Sequence, residues 1–144
     1  MTPLLEPEVV ETPVECTFIQ TGDVALDTLK SVFGYEKFGG KQQEAVNAIL
    51  QRNDCVVLMP TGGGKTVCYA VPGIILPGVT IVVTLLIALI LDQVQRLSNV
   101  GLSVCYLMSS KKDEEKMVVC HHLSMPSPSY KFLCLKFSTL CDAR

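Results

Sequence analysis

A glycine-rich loop follows a short apolar run near the middle of the chain and sets narrow limits on the fold. Residues 59–66 read Met-Pro-Thr-Gly-Gly-Gly-Lys-Thr, directly after the apolar residues 55–58. Three consecutive glycines let the backbone turn tightly and point several N–H groups at one place, and a helix starting near Gly64 would add the positive end of its dipole there. This order of strand, glycine loop and helix predicts an α/β fold with a phosphate-binding site.

The side chains of this loop are suited to bind a nucleotide together with a metal ion. Lys65 would reach the outer phosphates as a mobile charge, and the Thr66 hydroxyl would hold a Mg2+ ion that bridges them. Met59 stands where the strict pattern has its first glycine, so the alternative is a glycine-rich turn with an ordinary surface lysine. The flanking sequence favours phosphate binding. The predicted phosphate-binding residues are Thr61, Gly62, Gly63, Gly64, Lys65 and Thr66.

Size and composition indicate one globular domain. The chain has 144 residues, a formal net charge of −2 and 49% hydrophobic residues. That is enough chain to bury a core, and too little for a protein with two lobes. A net charge near zero gives no general attraction to nucleic acid, so any DNA binding would have to use a local patch or a partner domain.

The cysteines and the long uncharged stretch favour an intracellular protein with no membrane partner. Seven cysteines is an odd number, no signal sequence precedes them, and four lie in or beside apolar runs. Reduced core cysteines are therefore expected, with the nucleus as the compartment in a eukaryote. Residues 66–91 carry no charge, but Pro-Gly pairs at 72–73 and 77–78 interrupt them. The uninterrupted remainder is too short to span a bilayer.

Hydrophobic periodicity predicts helices that alternate with strands after a flexible tail over residues 1–22, which has prolines among glutamates. β-branched residues dominate 79–83, as is typical of a buried strand. The alternation implies a parallel sheet whose ligands bind at the carboxyl ends of the strands. The predicted helices cover 23–33, capped by Asp23 and ended by Gly34, then 41–52, 65–70, 86–97 and 111–122; the predicted strands cover 55–59, 79–83, 103–107 and 130–135.

Three local patterns together resemble RecQ-type DNA helicases over about half of the chain. The aromatic-rich segment 33–38, followed by Gln42, resembles the motif that precedes their phosphate loop. The loop itself is similar to theirs, including Met59, and residues 92–94 (Asp-Gln-Val) fall where their motif Ia ends. The resemblance implies the first RecA-like lobe of a 3'-to-5' DNA-unwinding motor of DNA repair and recombination, with ATP, Mg2+ and DNA as ligands.

The resemblance also implies how the base of the nucleotide would be held. Gln42 would read the adenine edge through its amide, because a carboxamide offers a donor and an acceptor side by side. Tyr35 would pack on the adenine face. Taken alone, without the flanking match, Gln42 is more typical of an exposed helix residue. The family usually has an arginine where this chain has Gly39, so one planar cationic contact to the nucleotide would be missing.

Contacts to DNA are expected to be weak, or to belong only to a full-length relative. Thr84 and Gln93 are the candidates for DNA contact. Between them, the aliphatic run 85–91 replaces hydroxyl and charged residues that the family places against a DNA strand. The same run could form a surface for a protein partner.

The resemblance covers only part of a motor lobe, so residues 23–144 are predicted to form a partial RecA-like ATP-binding domain. Residues 131–135 resemble the family's next strand, but no apolar strand ending in Asp-Glu-Ala-His follows. The acidic run 113–115 lies among lysines and is expected to be a solvated helix face. The Walker B carboxylates and the second lobe with its arginine finger would therefore be missing. An ATP-binding fragment with no catalytic residue of its own, unable to unwind DNA alone, is expected.

Two other functions stay open at this stage. A small P-loop kinase would need an arginine-rich lid, but Arg96 and Arg144 are the only arginines after the second predicted strand. A non-enzymatic module would bind ATP or another helicase subunit, with Ile87, Ile90 and Leu91 exposed as part of its contact surface. The sequence does not separate this module from the helicase fragment.

Overall fold

The chain folds as an α/β domain in which helices flank a three-stranded parallel sheet. A computed structural model describes residues 21–141. The elements are α1 Thr21–Thr28, a π-helical turn Leu29–Phe33, α2 Gln42–Leu50, α3 Lys65–Ile75, β1 Thr80–Thr84, α4 Ile87–Asn99, β2 Val104–Leu107, α5 Asp113–Leu123, β3 Phe132–Lys136 and α6 Phe137–Cys141. The strand order is β1-β3-β2, and the predicted fold class is confirmed.

Strand β3 is the centre of the sheet. Thr80 of β1 and Val104 of β2 both pair with Phe132 at its start, so the three strands run in register. Four consecutive residues of β3, 132–135, are buried, because helices cover both of its faces. Such continuous burial is the usual state of a parallel strand and explains the unbroken apolar sequence.

The strand predicted at 55–59 is wrong. Residues 53–60 form no helix or strand, and the side chains of Val56 and Leu58 are 90% and 89% exposed. A strand exists only through pairing with a neighbour, and within residues 21–141 the segment pairs with none of the three strands. Its apolar residues therefore favour a strand, but within the described residues no neighbouring strand pairs with it.

The first helical segment confirms most of the prediction for residues 23–33. Gly34 ends it as predicted, with a φ of 72° and its N–H bonded to the carbonyl of Lys30. The helix begins at Thr21, so Asp23 lies in the first turn instead of capping it. The tail predicted over residues 1–22 otherwise lies outside the described residues.

Helix α3 continues beyond its predicted end at residue 70, through Pro72 to Ile75. Close packing against the sheet explains this extension. A Cβ on Gly73 would lie 2.6 Å from Thr80 Oγ1 and 2.9 Å from the ring of Phe132, so only glycine lets the helix approach this closely. Tertiary packing therefore outweighs the helix-breaking tendency of the Pro-Gly pair.

Three clusters of buried side chains hold the helices and the sheet together. One joins α1, α2 and α3, a second lies between α3, α4 and one face of the sheet, and a third lies between α5 and the other face. In this order, the clusters are Ala25, Leu29, Val46, Val67 and Val71; Ala70, Leu97 and Phe132; and Cys105, Val119, Leu133 and Leu135.

Within the described residues, no helix is long and apolar enough to cross a membrane.

Candidate nucleotide-binding site

The glycine loop adopts a backbone that few other residues tolerate. Gly62 has a φ of 82° and Gly64 a φ of 78°, both in the left-handed region that favours glycine. Between them, the Gly63 N–H donates to the Pro60 carbonyl at 3.0 Å, which closes a tight turn. Gly64 then serves as the N-cap of α3. The loop thus turns sharply and enters the helix within three residues.

The start of α3 leaves backbone donors free. Within the described residues, the N–H groups of Gly64, Lys65 and Thr66 have no backbone acceptor, as expected in the first turn of a helix. The dipole of this 11-residue helix adds a partial positive charge at the same end. Three free donors and a helix N-terminus at one point suit a phosphate group.

Gln42 holds the loop in this shape. Its side chain is only 8% exposed, and its Oε1 accepts the N–H of Gly39 at 2.9 Å. Its Nε2 donates to the carbonyls of Gly63 at 3.4 Å and Gly64 at 3.1 Å. This bracing contact has no local signal in the sequence, because it joins residues 21 and 22 positions apart. Contact between Gln42 and adenine stays a prediction. To contact adenine, the Gln42 amide would have to give up some of its hydrogen bonds to the glycine backbone.

One cavity of about 540 Å³ brings most of the predicted nucleotide-binding residues together. Tyr35 is 56% exposed and stacks on Phe33, with ring centroids 6.5 Å apart and planes 7° apart. Lys37 and Arg96 also line the cavity, and none of its described lining residues is acidic, which favours an anionic ligand. The predicted residues that line it are Tyr35, Gln42, Gly62, Gly63, Gly64 and Thr66.

Two predicted phosphate-binding residues, Thr61 and Lys65, do not line this cavity. Both are exposed. Lys65 forms no ion pair with an acidic residue of the described chain, so its ammonium group is free to meet a ligand. Their phosphate-binding roles stay predictions.

Arg96, Lys37 and Phe33 are cavity residues that the sequence analysis did not single out for nucleotide binding. Arg96 Nε donates to Asp92 Oδ2 at 2.8 Å, one helical turn earlier on α4. Both side chains are largely exposed, so the pair adds little stability but orients the guanidinium. The spacing of four residues between Asp92 and Arg96 is the only sign of this ion pair in the sequence. Nothing in the sequence indicates that α4 packs close to the glycine loop.

Thr66, Tyr69 and Gln93 form a hydrogen-bonded group between α3 and α4. Thr66 Oγ1 donates to Gln93 Oε1 at 3.2 Å, and the Tyr69 hydroxyl donates to the same oxygen. Burial raises the pKa of Tyr69 to about 12, so the phenol keeps its proton at neutral pH. Thr84 Oγ1 donates to the Leu86 carbonyl at 3.3 Å. DNA contact by Thr84 and Gln93 stays a prediction.

The aliphatic run 85–91 is mostly exposed, as expected, with one correction. Ile90 is fully buried, because it faces the sheet as part of the amphipathic α4, so it cannot belong to a contact surface. The exposed residues of the run, from 44% to 72%, are Leu85, Leu86, Ile87, Leu89 and Leu91.

No acidic residue directly follows any of the three described strands. None of the residues just after β1, β2 or β3, namely 85–86, 108–110 and 137–139, is acidic. Asp113, Glu114 and Glu115 occupy the first turn of α5 and are exposed. In the described residues, no strand is thus followed directly by a carboxylate of the kind that holds Mg2+ beside a phosphate.

Comparison with known proteins gives a consistent result. Residues 40–127, more than half of the chain, match the family described as DEAD/DEAH box helicase. The chain is 45% identical over 109 residues to the RecQ-like DNA helicase BLM of Xenopus laevis, covering 76% of this chain and 8% of the relative. It is 42% identical over 99 residues to the ATP-dependent DNA helicase RecQ of Haemophilus influenzae, covering 69% and 16%. For the RecQ protein of Synechocystis, identity is 37% over 114 residues, covering 79% and 23%. The chain thus spans less than a quarter of each of these relatives.

Proposed function

This chain belongs to the DEAD/DEAH box helicase family and is of the RecQ type, and from that premise we propose that it binds ATP with Mg2+ in the cavity beside the glycine loop. The loop N–H groups and Lys65 hold the phosphates, and the Thr66 hydroxyl contacts the metal ion. Tyr35 packs on the adenine. Gln42 reads the base edge while its remaining contacts brace the loop.

The observation that supports this proposal most is the single cavity shared by the loop, Tyr35 and Gln42. Tyr35 and Gln42 lie 20 or more positions before the loop glycines in sequence, yet all of them line a volume of about 540 Å³, which is within the usual range for a small-molecule site. Its lining combines an aromatic ring with the free N–H donors at the start of α3. That arrangement matches a ligand with a flat base and a polyanionic tail.

Calorimetry with two ligands tests both ends of the cavity. We expect wild-type protein to bind Mg2+-ATP more tightly than inorganic triphosphate, because only ATP carries a base. Tyr35→Ala should weaken ATP and leave triphosphate binding unchanged, whereas Tyr106→Ala, on strand β2 away from the cavity, should change neither. The absence of heat for both ligands with wild-type protein would refute the proposed site. Equal losses for both ligands with Tyr35→Ala would refute the base contact alone.

We also propose that the 144-residue polypeptide, assayed by itself, neither unwinds duplex DNA nor hydrolyses ATP at a helicase-like rate. No described strand carries a carboxylate at its carboxyl end. An arginine finger alone is worth about 10³- to 10⁵-fold in rate, and Arg96 is the only described arginine beside the cavity. DNA-stimulated hydrolysis by the pure chain that Lys65→Ala abolishes would contradict this.

A second candidate function, binding of a protein partner, is supported by the exposed aliphatic side chains of the run 85–91. Leu85 is 72% exposed and Leu86 is 61% exposed, and contiguous apolar exposure of this kind marks interaction surfaces. The partner in this proposal is another helicase subunit or domain. Loss of a co-purified helicase partner on Leu85→Asp, with ATP binding unchanged, would support it.

A further inference from the structure

Gln93 lies in the middle of α4, and its amide oxygen is placed against two hydroxyl groups of α3. Thr66 Oγ1 donates to Gln93 Oε1 at 3.2 Å, across 27 positions of sequence, and Tyr69 donates to the same atom. We propose that Gln93 is a positioning residue of the nucleotide site, which orients the Thr66 hydroxyl so that its lone pairs face a bound Mg2+ ion. This rests on the proposed binding of Mg2+-ATP.

The chemistry of a hydroxyl group explains why an acceptor matters at this place. The Thr66 hydroxyl has one proton to donate and two lone pairs to offer. When the proton points at Gln93 Oε1, the lone pairs are free on the other side of the oxygen. Without that acceptor the hydroxyl can rotate its proton toward the cation, which opposes coordination electrostatically. Gln93 therefore contributes to metal binding without touching the metal.

The acceptor itself is held in place from two sides. A carboxamide oxygen has two lone pairs, and Thr66 and Tyr69 occupy both. Tyr69 is partly buried on α3, and burial favours its protonated form, so it stays a donor throughout the neutral range. On the other side, Ile90 and Leu97 anchor α4 with fully buried side chains. The oxygen thus has a fixed position relative to both helices.

The test measures how strongly Mg2+ promotes ATP binding, as the ratio of the dissociation constant in EDTA to that with excess Mg2+. One hydrogen bond of ordinary strength corresponds to about a 2- to 13-fold change in an equilibrium constant. Gln93→Met keeps the length of the side chain but offers only a weakly accepting sulfur. We expect this variant to lower the ratio by that factor, with unchanged affinity for ATP in EDTA. Gln93→Glu keeps an acceptor oxygen and should retain most of the Mg2+ effect.

A double-mutant cycle separates positioning from a general structural effect. In a Thr66→Val background the hydroxyl is absent, so Gln93→Met should cause no further loss of the Mg2+ effect. The positioning role would be overturned if Gln93→Met weakened ATP binding equally with and without Mg2+. It would also be overturned if Gln93→Met reduced the Mg2+ effect as much in the Thr66→Val background as in wild-type protein. Both conclusions hold even if Gln93→Met lowers the unfolding temperature. Gln93→Met with a wild-type Mg2+ effect would also overturn this role. If wild-type protein binds no Mg2+-ATP, the proposed function fails and this inference fails with it.

Discussion

Replacing Gly64 by alanine should damage the phosphate loop more than the same change at Gly62. Both glycines have positive φ, 78° and 82°, so alanine is strained at either position. They differ in surroundings. A Cβ on Gly64 would lie 2.2 Å from Nε2 of Gln42, whereas a Cβ on Gly62 meets nothing within 4 Å.

The difference in cost follows from the hydrogen bonds that Gln42 makes. A left-handed conformation costs an alanine about 1–2 kcal/mol, and this is the whole penalty at Gly62. At Gly64 the alanine also displaces the Gln42 amide from the carbonyls of Gly63 and Gly64. Two hydrogen bonds at about 0.5–1.5 kcal/mol each bring the total to about 2–5 kcal/mol. Gly64→Ala should thus be more destabilising than Gly62→Ala by about 1–3 kcal/mol.

Urea unfolding at 25 °C measures both variants on one scale, provided that the slope with denaturant is unchanged. The Gln42→Ala background supplies the matched control, because it removes the atom that the new Cβ would meet. In that background, Gly64→Ala should lower the free energy of unfolding by no more than Gly62→Ala does. Equal destabilisation by the two glycine variants in the wild-type background would refute the contact between Gln42 and the loop.

Two further predictions concern the surface and the buried thiols. Strand β1 pairs only with β3 among the described strands, and Ile81 and Val83 of β1 are exposed, so its open edge should promote self-association. Val83→Lys should reduce self-association in sedimentation velocity without changing the urea midpoint, and unchanged sedimentation would contradict this. Burial raises the pKa of Cys105 to about 11, which leaves a thiolate fraction of about one in a thousand at pH 8. Iodoacetamide at pH 8 should therefore modify the exposed Cys55 well before Cys105, and equal rates by peptide mapping would contradict the assignment.

Local sequence patterns predicted those elements whose causes are local. The β-branched run at 79–83 predicted β1, and Gly34 predicted a helix end because only glycine readily takes its conformation. The strand predicted at 55–59 was wrong because a strand depends on pairing with a neighbour, which local composition does not reveal. The sequence also did not predict that α3 continues beyond residue 70. The Pro-Gly pair at 72–73 indicates a helix end, but the close packing of Gly73 against β1 and β3 keeps this segment helical.

The candidate site shows the same division between local and distant causes. The glycine loop and the Lys-Thr pair are contiguous, and their arrangement at the start of α3 follows from the sequence. The contact of Gln42 with Gly64 spans 22 positions, and that of Thr66 with Gln93 spans 27. Neither has a local signal, because both depend on how α2 and α4 pack against α3. The sequence thus predicted most of the residues that line the cavity, but not what holds them in place.

Calorimetry of Mg2+-ATP binding by purified wild-type protein and by Lys65→Ala provides a decisive test for a nucleotide site at the glycine loop. Lys65 is exposed and has no ion-pair partner in the described residues, so its replacement should leave the unfolding temperature unchanged. Lys112→Ala, at the exposed start of α5, is the matched control for loss of one positive charge. We predict saturable heat of binding for wild-type protein and Lys112→Ala, and a dissociation constant at least about tenfold higher for Lys65→Ala, since charge-assisted bonds to phosphate contribute about 1.5–3 kcal/mol. Equal heats and equal affinities for all three proteins, or no binding by any of them, would contradict the assignment of a nucleotide site.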